Sequence, residues 1–305
     1  MQAAVVVVGS VNVDVVAELD RFPRPGETLR AAGVRRNVGG KGANQAVAAR
    51  RVHEAVAFIG RVGEGPDGSD ARAALDREGV DVTGLRTVAD ARTGTAFIQV
   101  ADGENTIVLD PGANEAWDDL DDTERSVVSE AAVVVCQMEV PTAVTAAAAD
   151  ACTGRLIVNA APAGALDATL VARCDPLVVN EHELAVLAGR SVDGIGDARA
   201  AAAAMTRRGA RSVVVTLGAR GAVWVTGDDT GEVSPPRVDV VDSTGAGDAL
   251  VGVLAARLAV GEDLRDAVRW AVTAGSLAVR TTGTHAAYPD LATVADHVAD
   301  IVSKS

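Results

Sequence analysis

The segment Asp242-Ser-Thr-Gly-Ala-Gly-Asp248 combines an acidic side chain with small residues that leave the backbone accessible. It runs directly into the apolar stretch Ala249–Leu258, which predicts a helix that begins at the glycines. Backbone N–H groups at a helix start lack partners and, together with the helix dipole, hold an anion such as a phosphoryl group. The residues that would supply them are Gly245, Ala246 and Gly247.

Asp248 adjoins this predicted anion site, where a second negative charge makes a poor ligand. A carboxylate there suits a general base that takes a proton from a hydroxyl attacking phosphorus. The simpler alternative is that Asp248 only caps the helix, since aspartate is common at helix starts.

A second glycine-rich loop, Gly39-Gly-Lys-Gly-Ala-Asn-Gln45, also opens a predicted helix, and its glycines permit close backbone approach to a ligand. Lysine occurs only at Lys41 and Lys304, so arginine supplies the other basic side chains. A compact ammonium is not interchangeable with a guanidinium at a tight polyol or phosphate site. Chance placement of Lys41 remains the alternative.

Asn12 and Asp14 follow the first apolar run and lie two residues apart. In extended chain both side chains project to one side, where they can bind adjacent hydroxyls. Taken alone, Asn and Asp after a strand are more often turn formers.

The elements that must position these residues alternate along the chain. Apolar β-branched runs predict buried strands at Val5–Val8, Ala55–Ile59, Val133–Cys136, Leu156–Val158, Leu177–Val179 and Val213–Thr216. Helical spacing marks Ala43–Val52, Asp70–Glu78, Pro141–Ala151 and Asp197–Arg208. This alternation predicts an α/β fold with a doubly wound, mostly parallel sheet flanked by helices.

Two stretches break the alternation. Leu29–Val38 and Thr93–Leu109 hold short alternating segments divided by turn signals, which predicts a small accessory sheet. We expect one domain over residues 1–305, with lid segments at approximately 12–38 and 93–112.

A third glycine-rich segment, Gly63-Glu-Gly-Pro-Asp-Gly68, matches a dinucleotide-binding pattern. Its two carboxylates would repel a pyrophosphate, and its proline lacks the N–H that would bind one. We therefore interpret it as a helix-starting turn.

Composition excludes several classes of function. The 28 Lys+Arg against 42 Asp+Glu give a net charge of −14, and only 2% of residues are aromatic, which argues against a nucleic-acid partner. Three widely spaced cysteines suggest neither a disulfide framework nor a zinc site. No apolar run reaches membrane-spanning length, so we expect a cytoplasmic protein without a membrane partner. The histidines lack neighbouring ligands and are interpreted as surface or structural: His53, His182, His285 and His297.

The two glycine-rich loops together resemble both signatures of the ribokinase family of sugar kinases, also called the PfkB family. Further segments that resemble the family occur in family order along nearly the whole chain. They are Gly9–Asp14, Gln137–Pro141, Asn159–Ala163, Asn180–Glu183 and Thr216–Gly221. The resemblance implies an ATP-dependent kinase fold with a small β-sheet lid, and lids of family members pair to form a homodimer.

The resemblance also implies roles for individual residues. Sugar binding falls to Asn12, Asp14, Gly39, Gly40, Lys41, Asn44, Glu139 and the base Asp248. ATP binding falls to Asn180, Glu183, Thr216, Leu217, Gly218, Ala219, Arg220 and Gly221, beside Gly247 and Asp248. Asn180 and Glu183 match a motif linked to Mg²⁺ and phosphate, and K⁺ would use Asp242, Thr244, Ala278, Thr281 and Gly283.

The leading hypothesis is transfer of the γ-phosphate of ATP to the 5-hydroxyl of D-ribose, or of a similar sugar. A ketose, 2-keto-3-deoxygluconate or nucleoside acceptor is the alternative within the same chemistry. A sensor that binds sugar or nucleotide without turnover is the alternative from another class.

Overall fold

The computed structural model describes residues 3–102, 104–227 and 229–303. Thirteen strands lie within these residues: β1 Val5–Val8, β2 Asn12–Glu18, β3 Gly33–Gly39, β4 Val56–Gly63, β5 Asp81–Val88, β6 Gly94–Ala101, β7 Glu104–Asp110, β8 Val133–Gln137, β9 Arg155–Asn159, β10 Cys174–Asn180, β11 Ser212–Thr216, β12 Ala222–Thr226 and β13 Thr230–Val233. Ten α-helices accompany them in the same residues: α1 Lys41–Val52, α2 Pro66–Arg77, α3 Asp122–Glu130, α4 Thr142–Ala151, α5 Ala168–Val171, α6 Glu181–Ala188, α7 Ile195–Arg207, α8 Ala246–Ala259, α9 Leu264–Ala278 and α10 Leu291–Ser303.

Nine strands form one large sheet in the order β13-β12-β11-β10-β9-β8-β1-β4-β5. All pairs from β5 to β11 in this order are parallel, and at the other edge β12 pairs antiparallel with both β11 and β13. The valines of β1 are fully buried because helices cover both faces of the sheet. The predicted doubly wound α/β fold is confirmed.

Each face of the large sheet has its own hydrophobic core. Helices α1, α8 and α9 pack with Val5, Val7 and Phe58 on one face. Helices α3, α4, α6 and α7 pack with Val6, Val8 and the buried cysteines on the other. The alternation of β1 side chains between the two cores follows from the period of two residues in a strand.

A separate four-stranded sheet has the order β3-β2-β6-β7. Strand β2 pairs antiparallel with β3 and parallel with β6, and β6 pairs with β7 through the turn near Asp102. The predicted small sheet is therefore confirmed. It exposes Phe97, Ile107 and Val108, each at least half accessible.

Three strands of the large sheet were not predicted from the sequence. Strand β5 is a partly exposed edge strand with Asp81, Thr83 and Arg86 rather than an apolar run. Strand β12 is apolar and buried and follows β11 after only a 3₁₀ turn, and β13 is the short edge strand beyond it. Helix α2 begins at Pro66 after Gly65 at φ 103°, as a helix-starting turn requires. Among the described residues, no helix combines the length and apolar character needed to cross a bilayer.

Candidate active site

Asp248 lies in the first turn of α8 and is 8% exposed. Asn44 Nδ2 donates to its Oδ2 at 3.0 Å, and Gln45 Nε2 donates to its Oδ1 at 2.9 Å. Both donors come from the first turns of α1, the helix opened by the second glycine-rich loop. The two loops that the sequence singled out therefore meet at one carboxylate.

Gly252 explains how α1 and α8 approach closely enough for these bonds. A Cβ at Gly252 would lie 2.4 Å from the Gln45 carbonyl oxygen and 2.6 Å from the Ala48 Cβ. Only glycine therefore fits at this helix crossing, four residues after Asp248.

The environment of Asp248 sets its proton affinity. Burial raises its pKa, and Glu139 raises it further. Lys41 and the amides of Asn44 and Gln45 oppose this effect by favouring the carboxylate. The net effect is a raised pKa. A carboxylate with a raised pKa accepts a proton more readily than a surface carboxylate does, which suits a general base.

Behind Asp248 lies a chain of buried amides that the sequence analysis missed. Gln45 Nε2 also donates to Asn159 Oδ1 at 3.0 Å, and its Oε1 accepts from Gln137 Nε2 at 2.7 Å. Gln45 and Gln137 are fully buried. Because a carboxylate only accepts, it fixes the orientation of the Gln45 amide, which in turn fixes that of Gln137. Gln45 adjoins Asn44 in the loop motif, which was the available signal.

Glu139 holds the lysine loop in place. Its Oε2 accepts from the Lys41 backbone N–H at 3.0 Å and from Ser10 Oγ at 2.7 Å. Gly42 is needed beside it, because a Cβ there would lie 2.6 Å from the Ser10 backbone nitrogen. This arrangement brings the predicted residue Glu139 to the loop that begins with Gly39 and Gly40.

Lys41 lies among several carboxylates. Burial by itself lowers the pKa of Lys41, but the surrounding negative charges outweigh burial and raise it. They belong to Asp248, Glu139 and Glu183. The ammonium therefore stays protonated, and it is a positive charge next to the Asp248 carboxylate.

Asn12 and Asp14 occupy the start of β2, where the small sheet leaves the large one. Asn114 Nδ2 donates to Asn12 Oδ1 at 2.7 Å and so orients that side chain. A Cβ at Gly39 would lie 2.1 Å from Asp14 Oδ2, so glycine is required where β3 passes this carboxylate. Burial, followed by repulsion from Glu139 and Asp248, raises the pKa of Asp14 to about 7.

The start of α8 has part of the geometry expected of an anion site. Gly245 adopts φ 76°, a left-handed conformation that favours glycine, and Gly247 has open space beside its Cα. The Ala246 N–H donates to the Ser243 carbonyl at 3.3 Å, so it is engaged within the turn, unlike the free donor that the sequence predicts.

A cleft of about 150 Å³ joins this site to the residues expected to bind nucleotide. Its lining includes Lys41, Asn180, Glu183, Thr216, Gly245, Gly247 and Asp248. Asn180 and Glu183 form a capping box at the start of α6, in which each side chain accepts from the backbone N–H of the other. Capping alone accounts for this pair, so its role toward a nucleotide stays a prediction.

Of the predicted nucleotide segment Thr216–Gly221, Thr216 lines the cleft and the other residues form the turn after β11. Leu217 is buried at 4% exposure, while Gly218, Ala219 and Arg220 are exposed in a 3₁₀ turn that ends at Gly221. Arg220 pairs with Glu181 at 2.6 Å.

The residues predicted to hold a monovalent cation lie in two adjoining loops. Asp242 accepts from the Thr244 and Gly283 N–H groups, each at 2.9 Å. Its own N–H donates to Val279, next to Ala278 at the end of α9, whereas Thr281 is exposed. Burial raises the pKa of Asp242, but these hydrogen bonds outweigh burial and lower it, so its carboxylate is ionised.

His285, interpreted from the sequence as surface or structural, contacts a residue of the site. The residue lies in the 3₁₀ turn His285–Ala287, and its Nε2 is 3.1 Å from Asn44 Oδ1. Because Asn44 Nδ2 points to the Asp248 carboxylate, Oδ1 must accept, so Nε2 of His285 carries the proton. Burial, followed by the Arg51 charge, lowers the pKa of His285 to about 4, and the ring is neutral at pH 7.

Known proteins share this arrangement of chain and fold. Ribokinase from Haemophilus influenzae is 33% identical over 294 residues, covering 95% of this chain and 96% of that protein. Deoxyribokinase from Salmonella typhi is also 33% identical, over 295 residues, covering 94% and 96%. The structure of Arabidopsis thaliana ribokinase complexed with ribose and ATP superposes with a TM-score of 0.91 at 32% identity, covering 98% of this chain and 99% of that one.

Residues 2–291 match the family described as pfkB family carbohydrate kinase. The match extends over both glycine-rich loops, both sheets and the helices that carry Asn44 and Asp248. The chain therefore belongs to the pfkB family of carbohydrate kinases, and it is a sugar kinase.

Proposed function

We propose that this kinase transfers the γ-phosphate of ATP to the 5-hydroxyl of D-ribose and releases D-ribose 5-phosphate and ADP. The observation that carries the proposal is the buried Asp248 carboxylate, held by Asn44 and Gln45 beside the start of α8. The similar Arabidopsis protein was solved with ribose and ATP, which supports both substrates.

In the proposed reaction, Asn12, Asp14 and Asn44 orient the sugar so that its 5-hydroxyl faces Asp248. Asp248 takes the hydroxyl proton as the oxygen forms a bond to the γ-phosphorus. The bond between that phosphorus and the bridging oxygen breaks, and ADP leaves with the electron pair. Lys41 and the amides at the start of α8 stabilise the charge on the transferred group.

The cations implied by the family fit the available donors differently. Within the described residues, no group of three or more His, Cys, Asp or Glu side chains could hold a metal ion. Glu183 offers one carboxylate at the cleft, which fits Mg²⁺ held mainly by nucleotide phosphates. That ion would offset the repulsion between phosphates and carboxylates. The Asp242 carboxylate, whose two oxygens each accept one backbone N–H, would be the charged ligand of K⁺.

The small sheet would close over the sugar and pair with a second copy. Its exposed Phe97 and Val108 support this proposal because they are cross-strand partners on one face of the small sheet, where they form an apolar surface. Size-exclusion chromatography with light scattering should give about 62 kDa for two 30.9 kDa chains. A mass of one chain at all concentrations tested would contradict the pairing.

2-Deoxyribose is the second candidate acceptor, because the Salmonella typhi deoxyribokinase is as similar as the ribokinase compared above. ADP release from MgATP with K⁺ present, measured across D-ribose, 2-deoxyribose, fructose, 2-keto-3-deoxygluconate and adenosine, separates the candidates. Asp248→Asn should remove most turnover with the preferred sugar while nucleotide binding and Tm are retained.

If ADP release is fastest with another sugar, that sugar replaces D-ribose as the proposed substrate and the proposed phosphate transfer still holds. Unchanged kcat in Asp248→Asn would refute the role of the base. Binding of sugar and ATP without ADP formation would instead favour a sensor.

A further inference from the structure

The hydroxyl of Tyr288 is buried at the edge of the active site without a hydrogen-bond partner in the described structure. Tyr288 is 5% exposed and follows the 3₁₀ turn that carries His285. A Cβ at Gly245 would lie 2.7 Å from the hydroxyl oxygen. The phenol therefore lies against the start of α8, three residues before the catalytic carboxylate.

A buried hydroxyl without a partner opposes folding, because it loses its hydrogen bonds to water and gains none in the protein. Phenylalanine would fill the same space without this loss. Packing alone therefore explains the ring of Tyr288 but not its hydroxyl, and an unsatisfied group at a binding site points to a ligand that completes it.

The charges around Tyr288 define which atom it can offer. Burial raises the pKa of the phenol well above its ordinary value, and Asp248 and Asp14 raise it further. The hydroxyl therefore remains a protonated donor. The Asp248 oxygens accept from Asn44 and Gln45, and the Tyr288 hydroxyl donates to neither of them in this structure.

We infer that the Tyr288 hydroxyl donates a hydrogen bond to a hydroxyl oxygen of the acceptor sugar. A sugar hydroxyl that donates its proton to a carboxylate retains lone pairs on oxygen, and these accept from a neutral donor such as a phenol. Tyr288 would thus contact the sugar from the side of the site formed by the start of α8. This inference rests on the proposed function, in which Asp14 and Asp248 contact the sugar.

Tyr288→Phe tests the inference by removing one oxygen atom and leaving the ring. We expect kcat/KM for the preferred sugar to fall roughly three- to tenfold, as for one lost hydrogen bond. KM for ATP should be unchanged. Tm should be equal or higher, because the unsatisfied hydroxyl is gone. If Tyr288 had only a structural role, its substitution would not lower kcat/KM for the sugar while leaving Tm and the KM for ATP unchanged.

A second measurement needs no turnover. Tyr288 is the only tyrosine of the chain, so incorporation of 3-fluorotyrosine gives a single ¹⁹F resonance. D-ribose added without nucleotide should shift that resonance, whereas a non-hydrolysable ATP analogue alone should not. Retained activity of the fluorinated enzyme is the control.

The two outcomes that matter are distinguishable. The inference is overturned if Tyr288→Phe has the wild-type kcat/KM, or if the resonance responds to the ATP analogue but not to D-ribose or to any sugar that the enzyme phosphorylates. Wild-type enzyme that fails to phosphorylate D-ribose overturns the proposed substrate instead.

Discussion

Gln45→Leu removes one of the two amide donors from the Asp248 carboxylate. Gln45 lies at 2.9 Å from Asp248 Oδ1 and is fully buried, so no water can replace its N–H without rearrangement. Leucine has nearly the same size, so the α1 and α8 backbones should keep their positions. The substitution therefore isolates the hydrogen bond from the packing.

The magnitude follows from the charge on the acceptor. A hydrogen bond to a charged group contributes about 1.5–3 kcal/mol, and about 1.36 kcal/mol corresponds to a tenfold change in rate. We therefore expect kcat to fall roughly ten- to hundredfold near neutral pH. Tm should also fall, because Asn159 and Gln137 each lose a buried partner.

The pH profile separates this explanation from a general loss of structure. The base acts as a carboxylate, so kcat falls as pH falls through the pKa of Asp248. Gln45 lowers that pKa, and its removal must move the acidic limb to higher pH. Lys41, Asn44 and Glu139 also face Asp248 and are unchanged by the substitution, so the movement reports on Gln45.

The assay is ADP release from MgATP and the preferred sugar over pH 5–9, with Tm measured for each variant. Gln137→Leu is the matched control, because it removes the outer amide but leaves the Gln45 donor on Asp248. It should lower Tm and leave the acidic limb nearly unchanged. Wild-type kcat and an unmoved limb in Gln45→Leu would refute the reasoning.

Three further predictions concern the same site. The pKa of Asp14 is raised to about 7 in the folded state, so folding stability falls as pH rises from about 4 to 7. Asp14→Asn should therefore raise Tm at pH 8 but not at pH 4. Equal Tm differences at both pH values would contradict this. His285→Ala should lower kcat because Asn44 loses the donor that orients it. His285→Gln retains an N–H donor and should recover part of the lost kcat. Equal losses of kcat in the two variants would exclude this role. Gly252→Ala should separate α1 from α8 and lower kcat, and a crystal structure with an unchanged Gln45 contact to Asp248 would contradict the steric argument.

The sequence predicted most of the large sheet because its strands are apolar runs that need both faces covered. Val5–Val8 and Val133–Gln137 are examples, and their signal is local. The edge strands β5 and β13 lacked that signal because they are partly exposed, whereas β12 is a buried apolar run that was not predicted. The small sheet was predicted from its turn signals, although β2 was not assigned as a strand.

The candidate site divides in the same way. Gly39–Gln45 and Asp242–Asp248 are continuous motifs, and the sequence alone indicated them. Gln137 and His285 reach the site only through partners 92 and 241 residues away in sequence, and no local pattern encodes such a pairing. Their roles require the helix crossing at Gly252 and the loop after α9, which are properties of the packed chain.

Three unfavourable features of the molecule lie where the proposed reaction takes place. Asp14 and Asp248 are carboxylates whose burial raises the pKa, and Tyr288 has a hydroxyl without a partner. Each would be less costly as a neutral or apolar side chain, and no packing requirement explains all three. A sugar supplies what they lack, because its hydroxyls donate to the carboxylates and accept from the phenol. Sugar binding should therefore stabilise the fold, and the gain in Tm should be smaller in Tyr288→Phe than in the wild type.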